Sequence, residues 1–299
     1  MNPAPFAARV IATHGRTSVL RDAQHATWSA VRRGRRGDLV VGDRVLATPT
    51  APGKAAVESI EPRASLLYRA DGFRTKELAA NIDLVIVVFA SRPTFDRWFI
   101  WRALLAAGAA GIDALVVRNK ADVADNAATA QSALDELQAL GWPTLTLSAR
   151  AAPDDALRLL APLTRDRASL LVGQSGMGKS TLLNVLAPHA QAMTREYSTA
   201  LDQGRQTTTA ARWFDLAGGG AIVDTPGFKE FGLAHLDFAQ IVAGMREFAP
   251  FAGRCRFLDC RHLAEPDCAI RAAVDEGDIA AARYAFYRSL VAAPGAMRP

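Results

Sequence analysis

The spacing of hydrophobic and polar residues divides the chain into three parts. In the first, short β-rich runs alternate with Gly, Asp and Pro punctuation: Ala8 to Thr13, Ser18 to Leu20, Thr27 to Val31, Val45 to Thr48 and Ala55 to Ile60. No long amphipathic helix interrupts them. Five such strands fit a small barrel. The OB-fold is the common barrel that binds nucleic acid, and an SH3-like barrel would give a similar pattern. Pro62 and the charged stretch Asp71 to Lys76 read as a linker. From Asn81 the rhythm changes. Ile82 to Ala90 is almost continuously apolar, as in a strand buried on both faces. A helix is expected over Phe95 to Ala109, a strand over Ile112 to Val117, a helix over Ala127 to Leu140 and a strand over Thr144 to Leu147. Asp154 to Leu160 then reads as a helix, Ser169 to Val172 as a strand, Lys179 to Leu186 as a helix and Ala221 to Val223 as a strand. This alternation implies an α/β domain with a doubly wound parallel sheet, whose ligands bind at the carboxyl ends of the strands. Arg283 to Leu290 carries aromatic and apolar residues at helical spacing and reads as a packing helix. The expected division is residues 1–72, 73–232 and 233–299.

Composition narrows the class. The 299 residues are 50% hydrophobic and 22% charged, which fits a soluble globular chain and excludes general disorder. No apolar run approaches the ~20 residues of a membrane helix. Residues 1–10 lack the apolar core of a secretory signal, so a cytoplasmic location and no membrane partner are expected. Three cysteines are too few, and odd in number, for a disulfide scaffold. The net charge of +5 is unevenly spread: the first 76 residues hold thirteen Lys and Arg against six Asp and Glu. The excess peaks at Arg32, Arg33, Arg35 and Arg36 around Gly34. Guanidinium forks beside glycine suit an RNA phosphate backbone, and a solvated hairpin tip is the alternative.

The middle segment carries the chemistry. Gly173-Gln174-Ser175-Gly176-Met177-Gly178-Lys179-Ser180 matches G-x-x-x-x-G-K-S, lies between an expected strand and helix, and is followed by Thr181. Such a loop turns its backbone N–H groups onto phosphate oxygens. Lys179 would neutralise the β- and γ-phosphates, and the Ser180 hydroxyl would bind Mg²⁺. Asn119-Lys120-Ala121-Asp122 follows another strand. A carboxylate at Asp122 accepts from the guanine N1–H and exocyclic amine, whereas adenine presents the opposite polarity there. Asn119 would steady the loop, the Lys120 stem would cover the base, and Ser148-Ala149 would offer a backbone N–H to the guanine O6. Asp224-Thr225-Pro226-Gly227 follows a third strand. Asp224 would hold Mg²⁺ through water, and the Gly227 N–H would meet the γ-phosphate. The long segment between, ending Gly204-Arg205-Gln206-Thr207-Thr208-Thr209, offers threonines that complete the Mg²⁺ shell; Thr208 is favoured without being separable from its neighbours.

Ordinary GTPases run P-loop, switch threonine, D-x-x-G, N-K-x-D, S-A. Here N-K-x-D and S-A come first, so the domain is circularly permuted, which closely spaced termini make tolerable. Beyond it, Cys255-x4-Cys260-x-His262-x5-Cys268 gathers all three cysteines with one histidine. Three thiolates and an imidazole make a closed tetrahedral Zn²⁺ site, structural rather than catalytic. Three buried free cysteines are the alternative.

Together these motifs resemble the ribosome small-subunit-dependent GTPase A family, RsgA. The resemblance covers nearly the whole chain, and Val41-Gly42-Asp43-Arg44-Val45 resembles part of that family's OB domain. It implies three units: an OB barrel, a permuted P-loop GTPase domain and a helical zinc-binding unit. It also implies GTP hydrolysis to GDP, late in maturation of the 30S subunit, by a monomer that contacts 16S rRNA and hydrolyses faster when bound. One departure stands out. The family usually has histidine where this chain has Gln206, and that histidine is its favoured catalytic candidate. Phe228, after D-T-P-G, cannot orient water; Gln206 can, since its amide donates and accepts. The alternative is that the ribosome supplies the catalytic group, leaving Lys179 and Gly227 to stabilise charge.

Overall fold

The computed structural model describes residues 4–14, 17–32, 39–71, 74–190, 211–226 and 228–292. The first unit is a closed barrel of β1 (Phe6–His14), β2 (Thr17–Asp22), β3 (Thr27–Arg32), β4 (Arg44–Ala51) and β5 (Lys54–Ile60). The ring closes through antiparallel β1–β4 and parallel β3–β5 pairings. In β4, Val45 and Ala47 are buried while Arg44 and Leu46 are exposed, the period of two that puts alternate side chains inside. Val10, Leu20, Ala30, Val45, Ala47, Ala55 and Val57 form a core within the barrel.

The expected linker is instead a hairpin. Strands β6 (Leu66–Asp71) and β7 (Arg74–Ala80) pair antiparallel, and the expected division between residues 72 and 73 falls between them. The charges that suggested a linker lie on strands whose buried positions are Leu67, Leu78, Ala79 and Ala80. Short, half-polar strands of this kind give little periodic signal. The hairpin joins distant parts of the chain. Val41 bridges Ala79, Arg69 bridges Phe231, and the Gly232 N–H donates to the Tyr68 carbonyl at 3.0 Å. Asn81, just after it, donates to the Gly42 carbonyl at 2.9 Å.

The α/β sheet runs β10 (Thr144–Thr146), β9 (Asp113–Asn119), β8 (Leu84–Ala90), β11 (Ala168–Val172), β13 (Ala221–Asp224), all parallel. Every residue of β8 and β11 is buried, as a central parallel strand requires. A strand that the pattern did not announce, β12 (Arg212–Asp215), pairs antiparallel with β13. The Ala12–Arg212 pairing then joins the barrel to this sheet. Helices α1 (Arg97–Ala109), α2 (Ala127–Ala139), α3 (Pro153–Thr164) and α4 (Lys179–Leu186) connect the strands. The C-terminal unit holds α5 (Phe238–Gly244), a 3-10 helix (Arg246–Phe251), α6 (Ala269–Glu276) and α7 (Ala281–Val291). Helix α7 buries Phe286, Tyr287 and Leu290, so it packs as expected. Among the described residues, no helix is long and apolar enough to cross a membrane.

Candidate nucleotide and metal sites

Strand β11 delivers the glycine-rich loop at the carboxyl edge of the sheet. Two glycines there are sterically enforced. A Cβ on Gly173 would lie 2.3 Å from the Val88 carbonyl oxygen, and one on Gly178 would lie 2.3 Å from the Asn119 amide nitrogen. Gly178 also has φ +93° and caps α4, a conformation that a side chain disfavours. The Lys179 ammonium donates to the carbonyls of Gly173 (2.7 Å) and Gln174 (3.0 Å) of its own loop. Burial lowers its pKa, and the Asp224 carboxylate opposes that shift. Burial likewise raises the Asp224 carboxyl, against the pull of Lys179, the Thr225 N–H and Arg212. Each group's charge thus favours the charged form of the other. Ser175, Gly176 and Ser180 remain exposed, Met177 is buried beneath the loop, and Thr181 follows on the first turn of α4.

Asn119 is the knot of the second loop. Its side-chain oxygen accepts from the Lys120 N–H (2.8 Å) and the Ala149 N–H (3.0 Å), and its amide donates to the Met177 carbonyl (3.1 Å). One buried side chain thus ties the N-K-A-D, S-A and glycine-rich loops together. The Lys120 ammonium reaches the carbonyls of Gly176 (2.6 Å) and Arg92 (3.0 Å), laying its stem along the loop edge. Asp122 is exposed and accepts from the Ser148 hydroxyl. That bond holds the Asp122 carboxyl below its ordinary pKa, with Arg150 and Lys120 adding smaller pulls.

Asp224 ends β13 and starts D-T-P-G. The Thr225 hydroxyl is buried without a partner among the described residues. Phe228 turns inward, with ring centroids 4.7 Å from Phe231 and 6.1 Å from Phe99. It is a packing residue. Gly227, Gln206 and Thr208 lie outside the described residues, as do Arg33, Arg35 and Arg36. Arg32 closes β3, at the rim of the barrel.

The cysteine–histidine motif converges in space. The His262 Nδ1 lies 3.5 Å from the sulfurs of Cys255 and Cys260 and 3.4 Å from that of Cys268. The Cys255 and Cys268 sulfurs are 3.9 Å apart. A tetrahedron with Zn–S about 2.3 Å and Zn–N about 2.05 Å has edges of roughly 3.6–3.8 Å, so the donors fit zinc. Tyrosines of α7 fix the loop: Tyr284 donates to the His262 carbonyl (2.7 Å) and Tyr287 to the Arg261 carbonyl (2.6 Å).

Some contacts carry no sequence signal. The Gln174 side chain turns away from the glycine-rich loop and accepts from the Asp96 N–H at 2.7 Å, at the start of α1. On the barrel, Arg21 pairs with Asp215 of β12, and the Arg9 guanidinium lies 4.4 Å from the Trp213 ring centre. Only an arginine breaking the apolar alternation of β1 and β2 hints at them.

Comparison with known proteins agrees with this geometry. Residues 60–234 match the family model described as RsgA GTPase. The small ribosomal subunit biogenesis GTPase RsgA of Bordetella pertussis is 45% identical over 293 residues, 97% of each chain. Its counterpart in Burkholderia pseudomallei is 44% identical over 284 residues, 95% of this chain and 90% of that one. YjeQ from Thermotoga maritima has a TM-score of 0.70 at 27% identity, covering 97% of this chain and 100% of its own. YloQ, described as a circularly permuted GTPase, shares the fold with a TM-score of 0.68 at 22% identity over 96% of this chain and 93% of its own. With N-K-A-D and S-A ahead of the glycine-rich loop on one sheet edge, and a family match over more than half its length, this chain belongs to the RsgA GTPase family, hydrolases acting on GTP.

Proposed function

We propose that this GTPase acts in late maturation of the small ribosomal subunit in the cytoplasm, binding 16S rRNA as a monomer. The observation that carries the nucleotide assignment is the Asn119 knot, which sets a base loop and a phosphate loop in fixed relation. Asp122 reads the guanine N1–H and amine, the Ser148-Ala149 turn offers backbone to O6, and the Lys120 stem covers the base. The backbone of Gly173 to Ser180, with Thr181, cradles the phosphates, and Lys179 leaves its two loop carbonyls to meet the β- and γ-oxygens. Ser180, Asp224 and Thr208 hold Mg²⁺, which supplies charge neutralisation to the transferring phosphoryl group. The raised pKa of Asp224 fits a carboxylate that gains from a cation.

Gln206 orients the attacking water, and the Gly227 N–H meets the γ-phosphate. Phe228, packed against Phe99 and Phe231, leaves that task to another residue. Cys255, Cys260, His262 and Cys268 hold one structural zinc. Residues 1–72 act as the RNA-binding barrel through Arg32, Arg33, Arg35 and Arg36, 73–232 as the GTPase and 233–299 as the zinc-binding unit. Co-sedimentation with 30S subunits tests the assignment. Retention with a non-hydrolysable GTP analogue and release with GDP are expected; equal retention with either, or none, contradicts it.

A further inference from the structure

The base loop rests on a buried cation that the nucleotide assignment does not use. Arg118 ends the apolar run of β9, one residue before Asn119, and is only 7% exposed. Its Nη1 donates to the side-chain oxygen of Gln131 on α2, and Gln131 in turn donates to Asp135 at 2.7 Å. Its Nε is buried without a partner among the described residues. A guanidinium taken out of water at this depth is costly unless well paired. A leucine at this position would be the simpler core residue. Two further facts say what the arginine does. The Arg118 carbonyl accepts from the Leu147 N–H at 3.0 Å, which sets the strand leading into Ser148 and Ala149. Helix α2 is capped by Asn126, whose side chain makes no capping bond, so backbone bonds such as Ala130 N–H to the Asn126 carbonyl (3.2 Å) close its first turn without side-chain help. Residues 119–126 run between β9 and α2; the Ala121 N–H ties their start to the Leu147 carbonyl at 3.1 Å, and the Arg118 side chain links the end of β9 to α2.

We infer that Arg118, through Gln131, is a positioning residue for guanine recognition: it holds α2 against the end of β9 and thereby fixes where the Asp122 carboxylate stands. This rests on the reading of Asp122 as the guanine reader. Asp122 is itself exposed and its side chain accepts from the Ser148 hydroxyl, so its placement depends on the backbone that carries it.

The test compares GDP with IDP, which lacks the exocyclic amine that Asp122 would accept from. Equilibrium binding of both is measured for the wild type, Arg118→Met, Arg118→Lys and Gln131→Ala, each checked for folding by circular dichroism. A site built around a donor rejects the analogue lacking it by a large factor. In the wild type, GDP should bind far more tightly than IDP. In Arg118→Met and Gln131→Ala, GDP affinity should fall by about tenfold while IDP affinity falls much less, so the preference shrinks. Arg118→Lys should recover part of it. A general loss of structure would weaken both nucleotides equally and leave the ratio unchanged. An unchanged ratio in Gln131→Ala overturns the inference, and that exposed-side substitution keeps the test open where Arg118→Met does not fold. A wild type that does not prefer GDP overturns the Asp122 assignment and the inference with it.

Discussion

The barrel and the C-terminal helical unit both flank the GTPase domain and both share its buried cluster, yet they depend on it to different degrees. The barrel keeps an inner apolar core of its own, while its Ile11, Ala12, Val19 and Val41 belong to the sheet's buried cluster; at β12 it adds the Arg21–Asp215 ion pair, Arg9 over Trp213, and the Ala12–Arg212 pairing. The C-terminal unit has no separate core. Ile241, Met245, Phe248, Phe286 and Leu290 belong to the same buried cluster as α1 and the sheet. Phe286 packs 5.5 Å from Trp101 and 5.6 Å from Trp98, and Gly244 lies so close to Leu105 that a Cβ would meet its Cδ1 at 2.0 Å. Within this interface the Arg283–Glu247 pair is buried, with both side chains 7% exposed. Separating either unit would expose part of the shared cluster to water, but the barrel would keep its inner core, whereas the C-terminal unit would lose the cluster it depends on. The barrel is thus the less dependent partner and the C-terminal unit a fixed extension of α1.

This contrast can be broken at several points. Cys260→Ser removes a buried thiol of the proposed zinc site and should abolish stoichiometric zinc binding, whose free energy in structural sites is about 10–16 kcal/mol. Since the unit shares its core with α1, the thermal midpoint of the GTPase domain should fall as well; metal analysis and calorimetry check both. Arg283→Met leaves Glu247 buried and unpaired, and should cost about 3–5 kcal/mol in urea unfolding. Adding Glu247→Leu should restore most of that loss, which separates a lone buried charge from lost packing. At the barrel junction, Arg21→Ala breaks a pair whose acid is 41% exposed, so solvent screening limits the loss to about 1 kcal/mol. There the GTPase midpoint should hold while limited proteolysis between barrel and sheet speeds up. Arg246→Ala removes a guanidinium 3.4 Å from the Trp142 ring centre that also donates to the Gly141 carbonyl at 2.8 Å. About 0.5–1 kcal/mol is expected, the smallest effect of the series.

Much of this molecule was legible because its signals are local. The barrel strands show as alternation, β8 as an unbroken apolar run, and the glycine-rich loop and cysteine spacing as compact motifs. What was hidden depends on partners far along the chain. The hairpin of β6 and β7 looked like a charged linker because its stabilising contacts, to Val41 and Phe231, are invisible locally. Strand β12 has four residues, too few for a period, and owes its place to β13 and the barrel. Arg118 reads as the polar end of a strand; only its burial against α2 marks it. Gln174 sits inside the most recognisable motif, yet its side chain serves α1 through Asp96. Motif spacing reports where backbone must go, and says little about where a side chain within it points.

Stimulation of GTP turnover by the small ribosomal subunit is the proposal that ties the nucleotide site to the subunit. The direct measurement is single-turnover GTP hydrolysis with and without 30S subunits, across a salt series, for the wild type and Lys179→Ala. A slow rate alone, a large stimulation by subunits that weakens as salt rises, and no stimulated hydrolysis in Lys179→Ala are expected. A rate that subunits leave unchanged, or one that survives loss of Lys179, would contradict it.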